Sequence, residues 1–396
     1  MTSNTLEQRI LKQLDALDLA GERRKLSPPG GIDLSSNDYL GLAAHPLINK
    51  RMIEAVMREG CGSTGSRLLR GERLCFAALE RRFATFKGTE AALYFGSGYL
   101  GNLGVLTSFL EAGDVVFSDE FNHASLIDGL RLSRARRIIF AHRDSRALKS
   151  LISAEKGQGQ KFLVTESLFS MDGDEAPLLE YADLCHNTNT ALIVDEAHAV
   201  GVYGTNGSGL IDKMGIGRDV FLSVNPAGKA LGASGAFVAG PRWAIDYLIQ
   251  RARTFIFSTA PYPAIADAID AALELVVSEP QRRQKLFDLA AHMRSALAQH
   301  GVYSPPGRSQ IIPVIVGENN RAIAVAAAMH EQGFDIRAIR PPTVPDGTAR
   351  LRISINTNLD PLVLSRCAVT LAKALEKHPG NISASSHSSI QTPLEK

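Results

Sequence analysis

Lys161-Phe-Leu-Val-Thr-Glu166 and Ala191-Leu-Ile-Val-Asp-Glu196, joined by residues 167–190, decide the fold. Both are short runs, apolar almost throughout, that close on an acidic residue, with room for a helix between them. Strands buried on both faces lose the apolar/polar alternation of a one-sided sheet, so such runs point to parallel strands under helices. The pattern extends outward in both directions: AALYF (91–95), DVVFSD (114–119) and RRIIFA (136–141) precede it, and VFLSV (220–224) and GAFVAG (235–240) follow. The spacing predicts an α/β chain with a mainly parallel sheet in a large domain over 46–240. Residues 1–45 form an N-terminal helix and segment. Residues 241–377 supply linking helices, from about Trp243 to His300, and a smaller C-terminal α+β domain with strands IIPVIVG (311–317), FDIRAI (334–339) and ARLRISI (349–355). The Ser-rich, apolar-poor stretch 378–396 reads as a disordered tail.

Bulk properties narrow the function. In 396 residues, 43 Lys and Arg stand against 41 acidic residues, which gives no electrostatic reason for a nucleic-acid or membrane partner. Forty-five per cent apolar residues suffice for a sizeable core. The opening MTSNTLEQRILKQLDALD reads as an amphipathic helix without the marks of a secretory signal. Cys61, Cys75, Cys185 and Cys367 show no metal-ligand or disulfide spacing, so free thiols in a reducing cytoplasm are expected, and no metal site. The basic run Arg131, Arg134, Arg136 and Arg137 reads as a solvated helix face, or as a contact for carrier phosphates.

Three motifs carry chemistry. Gly96-Ser-Gly98-Tyr-Leu-Gly101 follows a strand and opens a helix, so its free N–H groups suit a phosphate. It also fits the GxGxxG pattern of an NAD-dependent oxidoreductase, but about 90 residues precede it, so the supporting βαβ start is missing. Leu192-Ile-Val-Asp-Glu-Ala-His198 mimics the acidic strand of an ATPase, yet no GxxxxGK[ST] loop precedes it. Lys229 lies among small residues, Ala227-Gly-Lys-Ala-Leu-Gly-Ala-Ser-Gly235, where something flat can approach the backbone and desolvation can free the amine. Taken in order, the glycine turn, His123, Ser170, Asp195, His198 and Lys229 all fall at strand ends, where ligands of parallel sheets sit. A ring with a phosphate arm, pyridoxal 5′-phosphate (PLP), would use each of them: His123 stacking, Asp195 on the ring nitrogen, His198 on the phenolic oxygen, Lys229 as covalent tether.

Over nearly its whole length the chain resembles the α-oxoamine synthases of the fold-type I PLP enzymes. The matching segments are SSNDYLGL (35–42), GSTGSRLLRG (62–71), FNHASL (121–126), TESLFSMDGDEAPL (165–178), VDEAHAVGVYG (194–204), GKALGASGA (228–236) and FSTAPYP (257–263). The segment IRPPTVPDGTARLRI (339–353) is most similar to the 8-amino-7-oxononanoate synthase branch, and less so to 2-amino-3-ketobutyrate CoA ligases and 5-aminolevulinate synthases. The resemblance implies a homodimer that condenses L-alanine with pimeloyl-CoA or a pimeloyl-acyl carrier protein in biotin biosynthesis. It assigns Ser97, Gly98, Tyr99, His123, Ser170, Asp195, His198 and Lys229 to the cofactor. Asn37 and Arg352 fall to the amino-acid carboxylate, and Arg24 to the acyl carboxylate or its carrier. It further implies a threonine three residues before the lysine, where Pro226 stands here. Proline offers neither hydroxyl nor N–H. Asn225, Ser223 or a partner's Thr259 would have to compensate, or cofactor affinity would fall.

Overall fold

The computed structural model describes residues 5–380, so the expected disordered tail lies, except for its first three residues, outside the described residues. In chain order the strands are β1 (Ile32–Asp33), β2 (Ala91–Phe95), β3 (Val115–Asp119), β4 (Arg136–Phe140), β5 (Lys161–Glu166), β6 (Thr190–Asp195), β7 (Val220–Pro226), β8 (Ala236–Gly240), β9 (Ile311–Gly317), β10 (Phe334–Asp335), β11 (Ala338–Ile339) and β12 (Ala349–Ser354).

The main sheet is seven-stranded, in the order β2-β8-β7-β6-β5-β3-β4. All its pairings are parallel except those of β8, which runs antiparallel to both β2 and β7. Successive side chains of a strand enter opposite faces. Ala92, Tyr94, Phe117, Leu163 and Val194 therefore join one core, and Leu93, Phe95, Val116, Val164 and Ile193 join the other. Two covered faces explain why β2, β3 and β5 to β8 read as unbroken apolar runs.

β4 departs from that expectation. It is an edge strand with Arg136, Arg137 and Ile139 exposed. Charge on an edge prevents another chain from adding to it. The basic run is thus split: Arg131 ends the helix Ala124–Leu132, whereas Arg136 lies on the edge strand and pairs with Glu155. The long helical stretch is also divided, into Arg242–Arg251, Arg253–Ile256, Ala264–Ser278 and Pro280–Gln299. Pro261, Pro263 and Pro280 lie at its breaks, as residues that cannot continue a helix.

The second, antiparallel sheet has the order β11-β12-β9. The run FDIRAI does not form one strand. Phe334–Asp335 instead pairs in parallel with Ile32–Asp33, and only Ala338–Ile339 joins β12. That small pairing holds the segment carrying Asn37 and Tyr39 against the strand carrying Arg352: Leu34 O accepts from Ser354 N at 2.8 Å, and Tyr39 O from Thr357 N at 3.0 Å. Among the described residues no helix is long and apolar enough to cross a membrane.

Candidate active site

Every parallel strand of the main sheet ends on the same edge, and the chemistry-bearing residues collect there. Asp195 terminates β6 and is 4% exposed. Its Oδ2 accepts from Asn102 Nδ2 at 2.7 Å and its Oδ1 from Ala197 N at 2.8 Å. Asn102 lies one turn into the helix Gly98–Phe109 and also donates to Ser125 Oγ, so it ties the glycine-turn helix to the acidic strand. Among the described residues no salt bridge reaches Asp195, on which Lys229 acts only through its charge at a distance, and a buried carboxylate without a contacting cation is costly. The site therefore calls for a cation, and a protonated pyridine nitrogen supplies one.

Lys229 follows β7 in the small-residue turn. Gly232 and Gly235 make that turn possible, with φ of +60° and +83°. A side chain at Gly235 would lie 2.2 Å from Tyr94 Oη, and one at Gly232 2.5 Å from Ala43 N. Burial lowers the Lys229 pKa, with Arg352 adding to the effect and Asp195 and Glu166 opposing it. A lysine so placed holds a larger fraction of free amine than an exposed one, as imine formation requires.

His198 is buried, and its Nδ1 lies 2.6 Å from Tyr39 Oη. Burial first, then the charges of Lys229 and Arg352, hold its pKa well below the ordinary value, so the ring is neutral. The Tyr39 hydroxyl has one proton, shared between Asn37 Oδ1 at 3.0 Å and His198 Nδ1; when it is given to Nδ1, the imidazole proton sits on Nε2 and is free to donate to a phenolic oxygen. Gln310 Nε2 fixes the His198 backbone carbonyl at 2.9 Å.

His123 caps the helix Ala124–Leu132 through Nδ1 and leaves the rest of its ring open for stacking. Desolvation of its inner edge lowers its pKa, helped by Lys229 and opposed by Asp195. Glu166 ends β5 in register with Asp195. It is fully buried, and burial followed by the Asp195 charge keeps its pKa well above the usual carboxyl range. Its Oε1 has no hydrogen-bond partner in the structure.

The carboxylate end of the site is one hydrogen-bonded chain. Arg352 on β12 donates through Nε to Ser170 O at 2.5 Å, and through Nη2 to Asn37 Oδ1 at 3.0 Å and Tyr39 Oη at 3.2 Å. Asn37 therefore holds Arg352 with its carbonyl, and its amide N–H groups remain for a ligand. Arg24 stands apart. It is exposed, and among the described residues its recorded hydrogen bonds go only to Pro341 O and Thr343 Oγ1, each at 3.4 Å.

At the glycine turn, Ser97 Oγ accepts from Leu100 N, which leaves its own proton to donate outward. Tyr99 leans away to hydrogen-bond Asp128. Pro226 packs directly on this turn: a side chain at Gly98 would meet Pro226 Cγ at 2.6 Å. Neither residue expected to compensate for Pro226 does so. By strand alternation Ser223 and Asn225 point to the opposite face, where Asn225 Nδ2 donates to Ser223 Oγ at 2.9 Å. Thr259 is exposed and stays available to a partner subunit.

An NAD-type reading of the turn meets a topological obstacle. β2 is at the sheet edge with only antiparallel β8 beside it, whereas a dinucleotide turn opens a parallel βαβ unit.

Asn102, Tyr39, Glu166 and Gln310 were not singled out from sequence. Asn102 alone gave a usable signal, as an amide in an otherwise small and apolar helix.

The chain matches the family Aminotransferase class I and II over residues 29–369. It is 46% identical over 381 residues to the 8-amino-7-oxononanoate synthase of Anaeromyxobacter dehalogenans, covering 93% of this chain and 95% of that one. The Geobacter sulfurreducens 8-amino-7-oxononanoate synthase is 44% identical over 342 residues, covering 86% and 88%. Among solved structures, Sphingomonas wittichii serine palmitoyltransferase superposes with a TM-score of 0.88 at 26% identity, covering 95% of this chain and 99% of that one. The Francisella tularensis 8-amino-7-oxononanoate synthase superposes with 0.77 at 28%, covering 88% and 98%. With a cation-seeking carboxylate, a desolvated lysine and a phosphate-ready helix start on one sheet edge, the chain is a fold-type I, PLP-dependent acyltransferase of the α-oxoamine synthase type, and it belongs to the class I and II aminotransferase family in its 8-amino-7-oxononanoate synthase branch.

Proposed function

We propose that the protein condenses L-alanine with a pimeloyl thioester and releases CO₂, the thiol carrier and 8-amino-7-oxononanoate, a step of biotin biosynthesis. The observation that carries this reading is the chain Ser170–Arg352–Asn37–Tyr39–His198, with Ser354 Oγ also holding Nη1, which sets an oriented guanidinium close enough to Lys229 to act on its charge and fits the carboxylate of an α-amino acid. PLP, when bound, supplies the electron sink that stabilises a carbanion at the amino-acid Cα. Asp195 holds the ring nitrogen protonated, and Asn102 orients Asp195. His198 would donate from Nε2 to the phenolic oxygen, and His123 would stack on the ring. Arg352 and the Asn37 amide take the alanine carboxylate. Lys229, whose amine burial favours in the free form, would tether the cofactor and would be the group that takes the alanine Cα proton and later returns a proton to that carbon.

Arg352→Lys is expected to raise the KM for L-alanine by roughly tenfold or more, since an ammonium cannot keep the fixed set of bonds to Ser170 O, Ser354 Oγ and Asn37 Oδ1 that orients the charge. Steady-state kinetics with varied alanine check this; an unchanged KM removes Arg352 from that role. The substrate assignment itself is tested by a matrix of amino acids against acyl thioesters, including pimeloyl-CoA and pimeloyl-acyl carrier protein, with mass detection of the ketone. The largest kcat/KM is expected for alanine with a pimeloyl thioester. A preference for glycine with an acetyl thioester would point instead to the ligase branch of the family.

Dimerisation in the cytoplasm belongs to the same reading. It is supported by the exposure of Leu69 (82%) and Leu74 (91%) beside the GSTGSRLLRG segment and of Phe257 (70%) near Thr259, and by four free cysteines.

A further inference from the structure

One imidazole joins the loops that follow β3 and β4 to the hairpin that follows β5. His142, just after β4, places Nδ1 2.8 Å from Asp119 Oδ1 at the end of β3, and Nε2 3.0 Å from Asp174 Oδ2. Both ring nitrogens face carboxylate oxygens, which only accept, so both must carry protons. Asp119 also accepts from the backbone N–H groups of Phe121 and Arg143, each at 2.9 Å. Arg143 Nη1 reaches Asp174 at 2.8 Å, Glu120 accepts from the His142 backbone N–H, and Tyr181 lies near Asp119 and Arg143. The ring stacks on Phe121 with centroids 4.5 Å apart and meets Phe169 edge-on at 4.4 Å.

Asp174 and Phe169 belong to a hairpin closed by the Leu168–Glu175 bridge and by Phe169 N to Asp174 O. Ser170 in that hairpin gives its carbonyl to Arg352, while Met171 O and Asp172 receive Arg350 from the same face of β12. The hairpin is thus the surface on which the carboxylate arginine rests; it continues from β5, is held by Ser309 Oγ at Gly173 O and by Arg143 at Asp174, and His142 ties it to the end of β3.

We propose that His142 is a positioning residue for amino-acid binding: as a doubly protonated bolt between Asp119 and Asp174, it holds the 168–175 hairpin where Ser170 can aim Arg352. The inference rests on Arg352 being the carboxylate clamp.

Burial alone would lower the His142 pKa, but the hydrogen bonds and charges of Asp119 and Asp174 outweigh it and raise the pKa to about 9. For a group whose folded pKa is raised above an ordinary 6.5, the stabilisation is complete below the lower value. It declines as pH climbs between the two and is lost above the higher one.

The test is the KM for L-alanine of wild type and His142→Gln, measured from pH 6.5 to 10 at saturating thioester. The ratio of the two KM values is read, because titration of alanine and of Lys229 is common to both proteins and cancels. The ratio is expected to be about ten at pH 7.5, the value of one lost charge-assisted hydrogen bond partly compensated, and to fall towards one near pH 10. The kcat should change by less than about twofold, because His142 touches no reacting group. PLP content should match wild type. A ratio of one at pH 7.5, a ratio that stays constant with pH, or a loss in kcat without a rise in KM overturns the proposal. Should His142→Gln fail to fold, Asp174→Asn is read in the same assay: a raised alanine KM at pH 7.5 supports the bolt, and a wild-type KM overturns it. If Arg352→Lys leaves the alanine KM unchanged, the reading of the clamp fails. If that variant raises KM and His142→Gln does not, only the present inference fails.

Discussion

Lys229→Ala is expected to abolish turnover, by about 10³-fold or more, while the protein still folds and still takes up PLP non-covalently. Acid–base work by a positioned group contributes on the order of 10²–10⁴, and this residue supplies the covalent tether as well. The turn that carries it is shaped by Gly232 and Gly235, and among the described residues its amine makes no hydrogen bond or ion pair that the substitution would break. Borohydride reduction followed by peptide mapping should label Lys229 in wild type and nothing in the variant. A label on any other lysine refutes the assignment, whatever the kinetics show.

Asp195→Asn is expected to be nearly as damaging. It keeps the shape and a hydrogen bond to the Ala197 backbone but removes the charge that holds the ring nitrogen protonated. Breaking one side of a buried charged pair costs roughly 3–5 kcal/mol, about 10²–10³-fold or more in the proton-removal step. The measurement is exchange of the alanine α-proton with solvent deuterium, followed by NMR without any thioester present. Exchange at the wild-type rate in Asp195→Asn would remove Asp195 from the ring nitrogen. Asp195→Ala should behave alike and lose stability too, because Asn102 would be left facing a void.

Much of this was legible because parallel strands advertise themselves. A strand with helices on both faces has no wet side, so β5 and β6 stand out as apolar runs, and their last residues mark the ligand edge. The residues that hold the catalytic groups in place were much harder to see. Asn102 and Asp195 are 93 positions apart and Tyr39 and His198 are 159 apart. Nothing local in either stretch announces the other. Of the substitutes expected for Pro226, Ser223 and Asn225 face away from the glycine turn for a reason the sequence did contain: strand alternation sends them to one face and Pro226 to the other. The edge position of β4 could have been suspected from Arg136 and Arg137, which suit a strand with one neighbour.

The two-residue pairing of Ile32–Asp33 with Phe334–Asp335 bears on how the molecule is born. It joins the beginning of the chain to a stretch made about three hundred residues later, a loop closure whose entropic cost must be met by the contacts that follow. Asn356 Nδ2 to Asp33 O at 3.0 Å, and the bonds from Ser354 and Thr357, extend the same seam. Asn37 and Tyr39 therefore wait, after emerging from the ribosome, until β12 has been synthesised and docked. The lysine-bearing half can settle early, whereas the half that grips the amino acid is finished last. A nascent chain truncated before residue 349 would hold a tether without a grip, and could not consume alanine before the enzyme is whole.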